Sequence, residues 1–371
     1  MRLAEVLILV MALFSGASLA GDPPAGRAAK AKEALARGQG RLEKSDPQGA
    51  IPDLSTAVDL APEDVEARFS LGFAYFLTGD YRRARAELEA ALDRDPRCGP
   101  ALEYLGRIDY LEGDLERALR LLGKALATAP ERRDLADLVA KIENERKLEA
   151  SYAERFTLHF RLKVEGGRDE AQVADRIADA LERAYSEVGY DLGHFPIDPI
   201  PVILYSDRDF YALTGTHGWV GGLFDGKIRI PIKGLSLRDE DSLRRIARHE
   251  YVHACVHTLA PRCPTWLQEG LAQHFEGLRF EPGGLIERRD ALPSFANLGG
   301  SFVREKNADS AKLLYAQSLG FVEFLIARRG TSDLAEVLRD LGAGKALDDA
   351  IERVYGEKLA ALEASWRATL K

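Results

Sequence analysis

His249-Glu250-Tyr251-Val252-His253 lies in a helical pattern that runs from Ser242 to Leu259 and is stopped by Ala260-Pro261. Side chains four residues apart on an α-helix stand one turn above the other on the same face. The imidazoles of His249 and His253 therefore share a face and can take two corners of a metal tetrahedron. Ile246 and Val256 continue that stripe, which turns it toward the protein interior. Glu250 follows His249 directly and projects about 100° round the axis. That places it beside a bound ion, within reach of an attacking water, without making it a ligand.

A catalytic zinc takes three protein ligands and keeps a fourth position open. His257 is four residues beyond His253, but three successive turns of one helix point along one line and do not wrap a tetrahedral ion. An alternative ligand scheme needs a Gly after the second His and a third His further on. The chain has Ala254-Cys255-Val256 there. The better candidate is Glu269. Pro264-Thr265-Trp266-Leu267-Gln268-Glu269-Gly270-Leu271-Ala272 opens a new helix, with Pro near the first turn, where a missing N–H costs nothing. A short loop, Ala260 to Cys263, turns that helix back so that Glu269 faces the two histidines. The expected ligand set is His249, His253 and Glu269, the expected cofactor is Zn2+, and Glu250 is the expected general base.

Upstream of the helix, Phe156 to Val164 alternates and reads as a strand. Gly166-Gly167 ends it. Asp169 to Val188 is an amphipathic helix, Ile200 to Tyr205 a short buried strand, and Phe224 to Ile232 a turn at Asp225-Gly226 followed by an alternating strand. After that the chain is mainly helical. Strands first and helices afterwards indicate an α+β domain with a mixed or antiparallel sheet.

The first part of the chain is different. Pro62, Pro96 and Pro130 are spaced 34 residues apart. Within that frame Leu71-Gly72 matches Leu105-Gly106, Gly79-Asp80 matches Gly113-Asp114, and Ala84, Leu88 and Ala91-Leu92 match Ala118, Leu122 and Ala125-Leu126. A weaker copy has Gly38, Asp46, Ala50, Leu54 and Ala57 in register. The period resembles the tetratricopeptide repeat (TPR), and residues 29–130 read as three repeats, the smallest number expected to be stable. Residues 131–150 suit a capping or connecting helix. Such repeats present a concave face to a protein partner, or serve as a spacer.

HEYVH followed by WLQEGLA resembles the gluzincins, and more narrowly the peptidase MA-like domain often fused to tetratricopeptide repeats. The resemblance covers residues 152 to 371. It implies an α+β chain: an all-α TPR solenoid, then a zincin-like metallopeptidase domain over 151–371 with a small sheet and the HExxH helix. It also implies zinc-dependent hydrolysis of a peptide or protein substrate. The gap from His253 to Glu269 is shorter than in the aminopeptidase relatives, and the Gly-Ala-Met-Glu-Asn exopeptidase signature is missing, which favours an endopeptidase. Two further roles are implied. Lys227 to Ile232 is placed where this fold has the edge strand that pairs with extended substrate, an ordinary core strand being the other reading. Tyr315, on a helix from Ser310 to Arg329, is placed where a phenol can stabilise an oxyanion, against a mere packing role.

Composition sets the remaining expectations. The chain has 371 residues with 46% hydrophobic and 30% charged side chains, ordinary for soluble protein and enough for two domains. A net charge of −8 and no dense Lys/Arg run argue against a nucleic-acid partner. Arg2, the apolar run Val6 to Phe14, and Ser18 and Ala20 have the layout of a cleaved signal peptide over residues 1–20. The expected location is thus exported, periplasmic or secreted, with no stable membrane span after cleavage. Cys98, Cys255 and Cys263 are odd in number, so one at least lacks an intrachain partner. Cys255 and Cys263 are near enough in sequence to bridge, or all three are buried apolar residues. Two other functions compete with the peptidase: a catalytically silent TPR scaffold with a metallopeptidase-like domain, and a zinc hydrolase acting on another acyl group.

Overall fold

A computed structural model describes residues 25–165, 168–215, 222–232, 239–288, 292–298, 302 and 307–370. The expected signal peptide, residues 1–20, lies outside the described residues. The chain divides into two compact units between Lys147 and Leu148. Among the described residues, no helix is long and apolar enough to cross a membrane.

The first unit is built from helical hairpins: α1 (Ala25–Glu43) on α2 (Pro47–Leu60), α3 (Val65–Leu77) on α4 (Tyr81–Arg94), and α5 (Gly99–Leu111) on α6 (Leu115–Thr128), followed by α7 (Arg133–Glu149). The repeat seen in sequence has a steric cause. A Cβ at Gly38, Gly72 or Gly106 would stand 2.5, 2.8 or 2.7 Å from Leu54, Leu88 or Leu122 on the partner helix. Only a glycine lets the two helices of each hairpin come this close. The same three leucines are fully buried, so each Gly/Leu pair is the centre of its hairpin.

The hairpin turns repeat as well. Asp46, Asp80 and Asp114 cap α2, α4 and α6 by accepting from the amides of Gly49, Arg83 and Arg117, each satisfying one of the orphan N–H groups at a helix start. The residue before the cap is left-handed: Gly79 (φ 77°), Gly113 (φ 79°) and, in the first repeat, Ser45 (φ 58°). A serine there is strained, which accounts for the weaker sequence match of that copy. Aromatic side chains fill the space between hairpins, with Phe69, Phe73 and Phe76 of α3 against Tyr104 of α5.

The second unit opens with β1 (Ala153–Phe156) and β2 (Phe160–Val164), then α8 (Arg168–Leu192), β3 (Ile200–Tyr205), α9 (Asp207–Thr214), β4 (Leu223–Phe224) and β5 (Ile228–Pro231). Phe156 to Val164 is therefore two antiparallel strands joined by a turn, not one. Thr157 donates its amide to the Phe160 carbonyl, and the His159 amide is taken up by Glu182 of α8, which folds the chain back. The sheet is mixed, in the order β1-β2-β3-β5-β4, with β2, β3 and β5 parallel and the two outer strands antiparallel.

Phe160, Leu162, Val164, Val202, Leu204, Ile228 and Ile230 form one apolar face of this sheet. That face is covered by α8 and by α10 (Glu240–Leu259). The chain then continues through α11 (Thr265–Glu276), α12 (Gly283–Ile286), α13 (Ala308–Arg329), α14 (Thr331–Gly342), α15 (Leu347–Tyr355) and α16 (Leu359–Arg367). The three cysteines are buried free thiols.

The edge-strand reading of Lys227 to Ile232 needs correction. β5 pairs with β3 on one side and with β4 on the other, and all four of its residues are buried. The outer strand next to the helix that carries the histidines is β4. Two residues long, it carries too little pattern to be recognised as a strand.

The Gly/Leu pairs predict opposite results for two nearby glycines. Gly106→Val should destabilise by about 1–3 kcal/mol, because a branched side chain has no room against Leu122. Gly123 of α6 has nothing within 4 Å of an added Cβ, so Gly123→Ala should stabilise by about 0.5–1 kcal/mol through helix propensity. Urea unfolding of the two variants checks the contrast, and similar shifts in both would contradict it.

Candidate metal centre

α10 starts at Asp239, whose carboxylate accepts from the Ser242 amide at 2.7 Å. It is held by apolar contact with α8 and α11, with Leu243, Ala247, Tyr251, Val252 and Val256 buried. The sequence places His249 and His253 on one face of such a helix, and their Nε2 atoms lie 3.4 Å apart. Residues 260–264 turn the chain back, and α11 starts after Pro264. Its first turn anchors Trp266, fully buried against Phe295 and Phe321. The next turn brings Glu269 over the histidines. Its Oε2 is 3.9 Å from His249 Nε2 and 3.7 Å from His253 Nε2.

Gly270 makes this placement possible. A Cβ there would lie 2.5 Å from the Ser318 carbonyl oxygen and 2.5 Å from Val322. α11 thus rests on the backbone of α13, and a side chain at 270 would lift the neighbouring Glu269 away from the histidines. Gln273, one turn after Glu269, ties the two helices by donating to the carbonyls of Glu269 (3.1 Å) and Tyr315 (3.0 Å).

The donor set fits a small divalent ion. Among the described residues, His249, His253 and Glu269 are the one group of three His, Cys, Asp or Glu side chains that offers converging ligand atoms. Their separations of 3.4, 3.7 and 3.9 Å lie within about 0.6 Å of the edge, about 3.3–3.4 Å, of a tetrahedron built on Zn–N and Zn–O bonds. The Glu269 Oε2 atom is buried and has no hydrogen-bond partner, an arrangement that is costly for a carboxylate unless a cation faces it.

Both imidazoles are oriented from behind. His249 Nδ1 is 3.0 Å from Glu276 Oε2. The Gln268 side chain donates its amide nitrogen to the Cys263 carbonyl at 3.1 Å and lies close enough to His253 to raise its pKa. Such partners fix the tautomer and turn the other ring nitrogen to the metal. Neither residue stands out in the sequence. The available signal is spacing, since Glu276 lies seven residues after Glu269 and so shares its face of α11.

Glu250, the expected base, is buried, and its Oε2 also has no partner. Tyr315, on α13, feels the same charges: burial raises its pKa first, and then the fields of Glu269 and Glu250 raise it further. His257 lies elsewhere on α10, its ring against Phe224 at 5.3 Å, and is not in the donor group.

Burial and mutual charge set the ionisation of the site. Burial pushes both Glu250 and Glu269 up to about 7, with the charge on His249 partly opposing the rise. Burial alone would lower His249, but the hydrogen bond to Glu276 and the fields of Glu250, Glu269 and Glu276 carry it up to about 9. His253 is held down to about 3 by burial and by the neighbouring His249.

Two outcomes are expected. Glu276→Ala should weaken zinc binding by about 10–100-fold, measured by competition with a chromophoric chelator, and an unchanged affinity would deny Glu276 its orienting role. The second concerns pH. Glu269 binds its proton more tightly folded than unfolded, so its contribution to metal-free stability is complete below its ordinary 4.5 and is lost as pH rises through about 7. His253 has the opposite slope at acid pH but is common to both proteins, so the parent minus Glu269→Gln difference reports Glu269 together with its field on His249 and Glu250. The metal-free variant should match the parent in Tm at pH 4.5 and exceed it at pH 8, on the order of 2–4 °C per kcal/mol gained. A difference independent of pH would contradict the assignment.

No curated protein matches the chain. A solved structure described as the functional characterization of Pseudomonas aeruginosa pilF is similar at 15% identity over 93% of this chain and 99% of that one, with a TM-score of 0.31, too distant to bear on the argument. Tetratricopeptide repeat models match residues 41–105 and 76–142. The peptidase MA superfamily model matches residues 180–371, more than half the chain and the whole of the His249/His253/Glu269 site. By that match the chain belongs to the peptidase MA superfamily, with tetratricopeptide repeats preceding the peptidase-like domain.

Proposed function

We propose that the protein is a zinc-dependent peptidase, in the main an endopeptidase, whose repeats recruit a protein substrate or partner. One observation carries the reading. His249, His253 and Glu269 bring three ligand atoms together from two helices, and the buried Glu250, next to the first of them, has a carboxylate oxygen without a hydrogen-bond partner.

His249, His253 and Glu269 would hold the ion. When bound, zinc supplies Lewis acidity toward the scissile carbonyl and the attacking water. The chain's own residues do the rest. Glu250 accepts the water proton on its carboxylate and passes it to the leaving amine; its buried, unpartnered oxygen supports that role. The Tyr315 phenol, held near Glu250 and Glu269 by the α11–α13 packing, donates to the developing oxyanion. Glu276 and Gln268 keep the imidazole Nε2 atoms turned inward. Export, read from residues 1–20, is part of the same proposal.

Glu250→Gln separates the base from the ligands. The variant should keep one zinc per chain by elemental analysis and lose activity on an unfolded protein substrate by at least about 10²-fold. Glu269→Ala should lose the zinc. Chelator-sensitive cleavage by the parent that survives in Glu250→Gln would remove Glu250 from the mechanism. A zinc-loaded parent that cleaves nothing would favour a silent TPR scaffold.

A further inference from the structure

β4 runs beside α10, and its two ends are fixed against one face of that helix. Phe224 stacks edge-on against His257. The residue just before the strand, Gly222, lies against Glu250. Glu250 and His257 are seven residues apart and share a face. The outer strand therefore follows the side of α10 that carries the unpartnered carboxylate.

At Gly222 this approach leaves no room for a side chain. An added Cβ would stand 2.1 Å from Glu250 Oε1, 2.4 Å from its Cδ and 3.0 Å from its Cγ, and these three nearest atoms all belong to the one side chain. Gly222 is not in the left-handed region, so its backbone conformation does not demand glycine. What demands it is the carboxylate. Glu250 is itself buried at 4% exposure, and the contacted atoms are the far end of its side chain, so the carboxylate is the group that an added methyl displaces.

We propose that Gly222 is a positioning residue for Glu250. The bare backbone at the head of β4 forms a wall that holds the Glu250 carboxylate in place. A methyl group at 222 would displace that carboxylate without touching a ligand. The inference rests on the peptidase reading for its effect on rate, but the steric coupling between residues 222 and 250 stands independently of any activity.

The test is a double-mutant cycle of Gly222→Ala with Glu250→Ala, read by thermal unfolding and by zinc content, with kinetics of the single variant. Gly222→Ala should keep one zinc per chain, lower kcat by about ten- to a hundredfold as expected for a misplaced catalytic group, and leave KM within about twofold. It should lower Tm in the parent background and leave Tm unchanged in the Glu250→Ala background, where the clashing side chain is absent. If the single variant does not fold, the double variant should. An equal Tm cost in both backgrounds would overturn the proposal, as would an unchanged kcat in an active enzyme. If the zinc-loaded parent cleaves nothing, the peptidase reading fails, while the Tm coupling still decides the role of Gly222.

Discussion

Glu269 is a carboxylate carried into a buried site and aimed at two imidazoles with no hydrogen bond to its Oε2. Burial of that kind is unfavourable unless a cation compensates it. Several features of the second unit serve to hold this unfavourable arrangement in place. Trp266 locks the first turn of α11 into the core, Gly270 lets the helix settle on the backbone of α13, and Gln273 ties the two together. Glu276 and Gln268 then fix the rings that Glu269 faces. A divalent ion facing Glu269 would compensate that burial.

Much of the site was legible because it is local. His249 and His253 are four apart on one helix, so helical geometry alone puts them together. Glu269 was legible for a similar reason, since a short loop leaves the next helix little choice but to fold back. The repeats were legible because the Gly/Leu contact recurs every 34 residues. The first copy was faint where Ser45 replaces the glycine of the other turns.

What was not legible depends on contacts distant in sequence. The turn at residues 157–159 is made partly by Glu182, more than twenty residues away. The resemblance put an edge strand at Lys227 to Ile232, with a core strand as the other reading; Lys227 and Arg229 are both buried at 1% exposure, Arg229 against Asp225 and the Tyr205 hydroxyl. Hence the strand taken for an edge is an interior one. β4 and the wall it makes at Gly222 depend on which strand pairs outermost, and two residues carry no periodicity to reveal it. Tyr315 is legible only as an aromatic on a helix; its relation to Glu269 comes from the packing of α13 on α11.

The central claim is that two imidazole nitrogens and one carboxylate oxygen share a single ion, and X-ray absorption at the zinc edge of the stoichiometrically loaded protein tests it most directly. The account predicts a shell of nitrogen and oxygen at about 2.0–2.1 Å, with outer-shell scattering from two imidazoles, and loss of one light ligand from the shell when Glu269 is replaced. A sulfur at about 2.3 Å, scattering from a third imidazole, or a shell indifferent to residue 269 would contradict it.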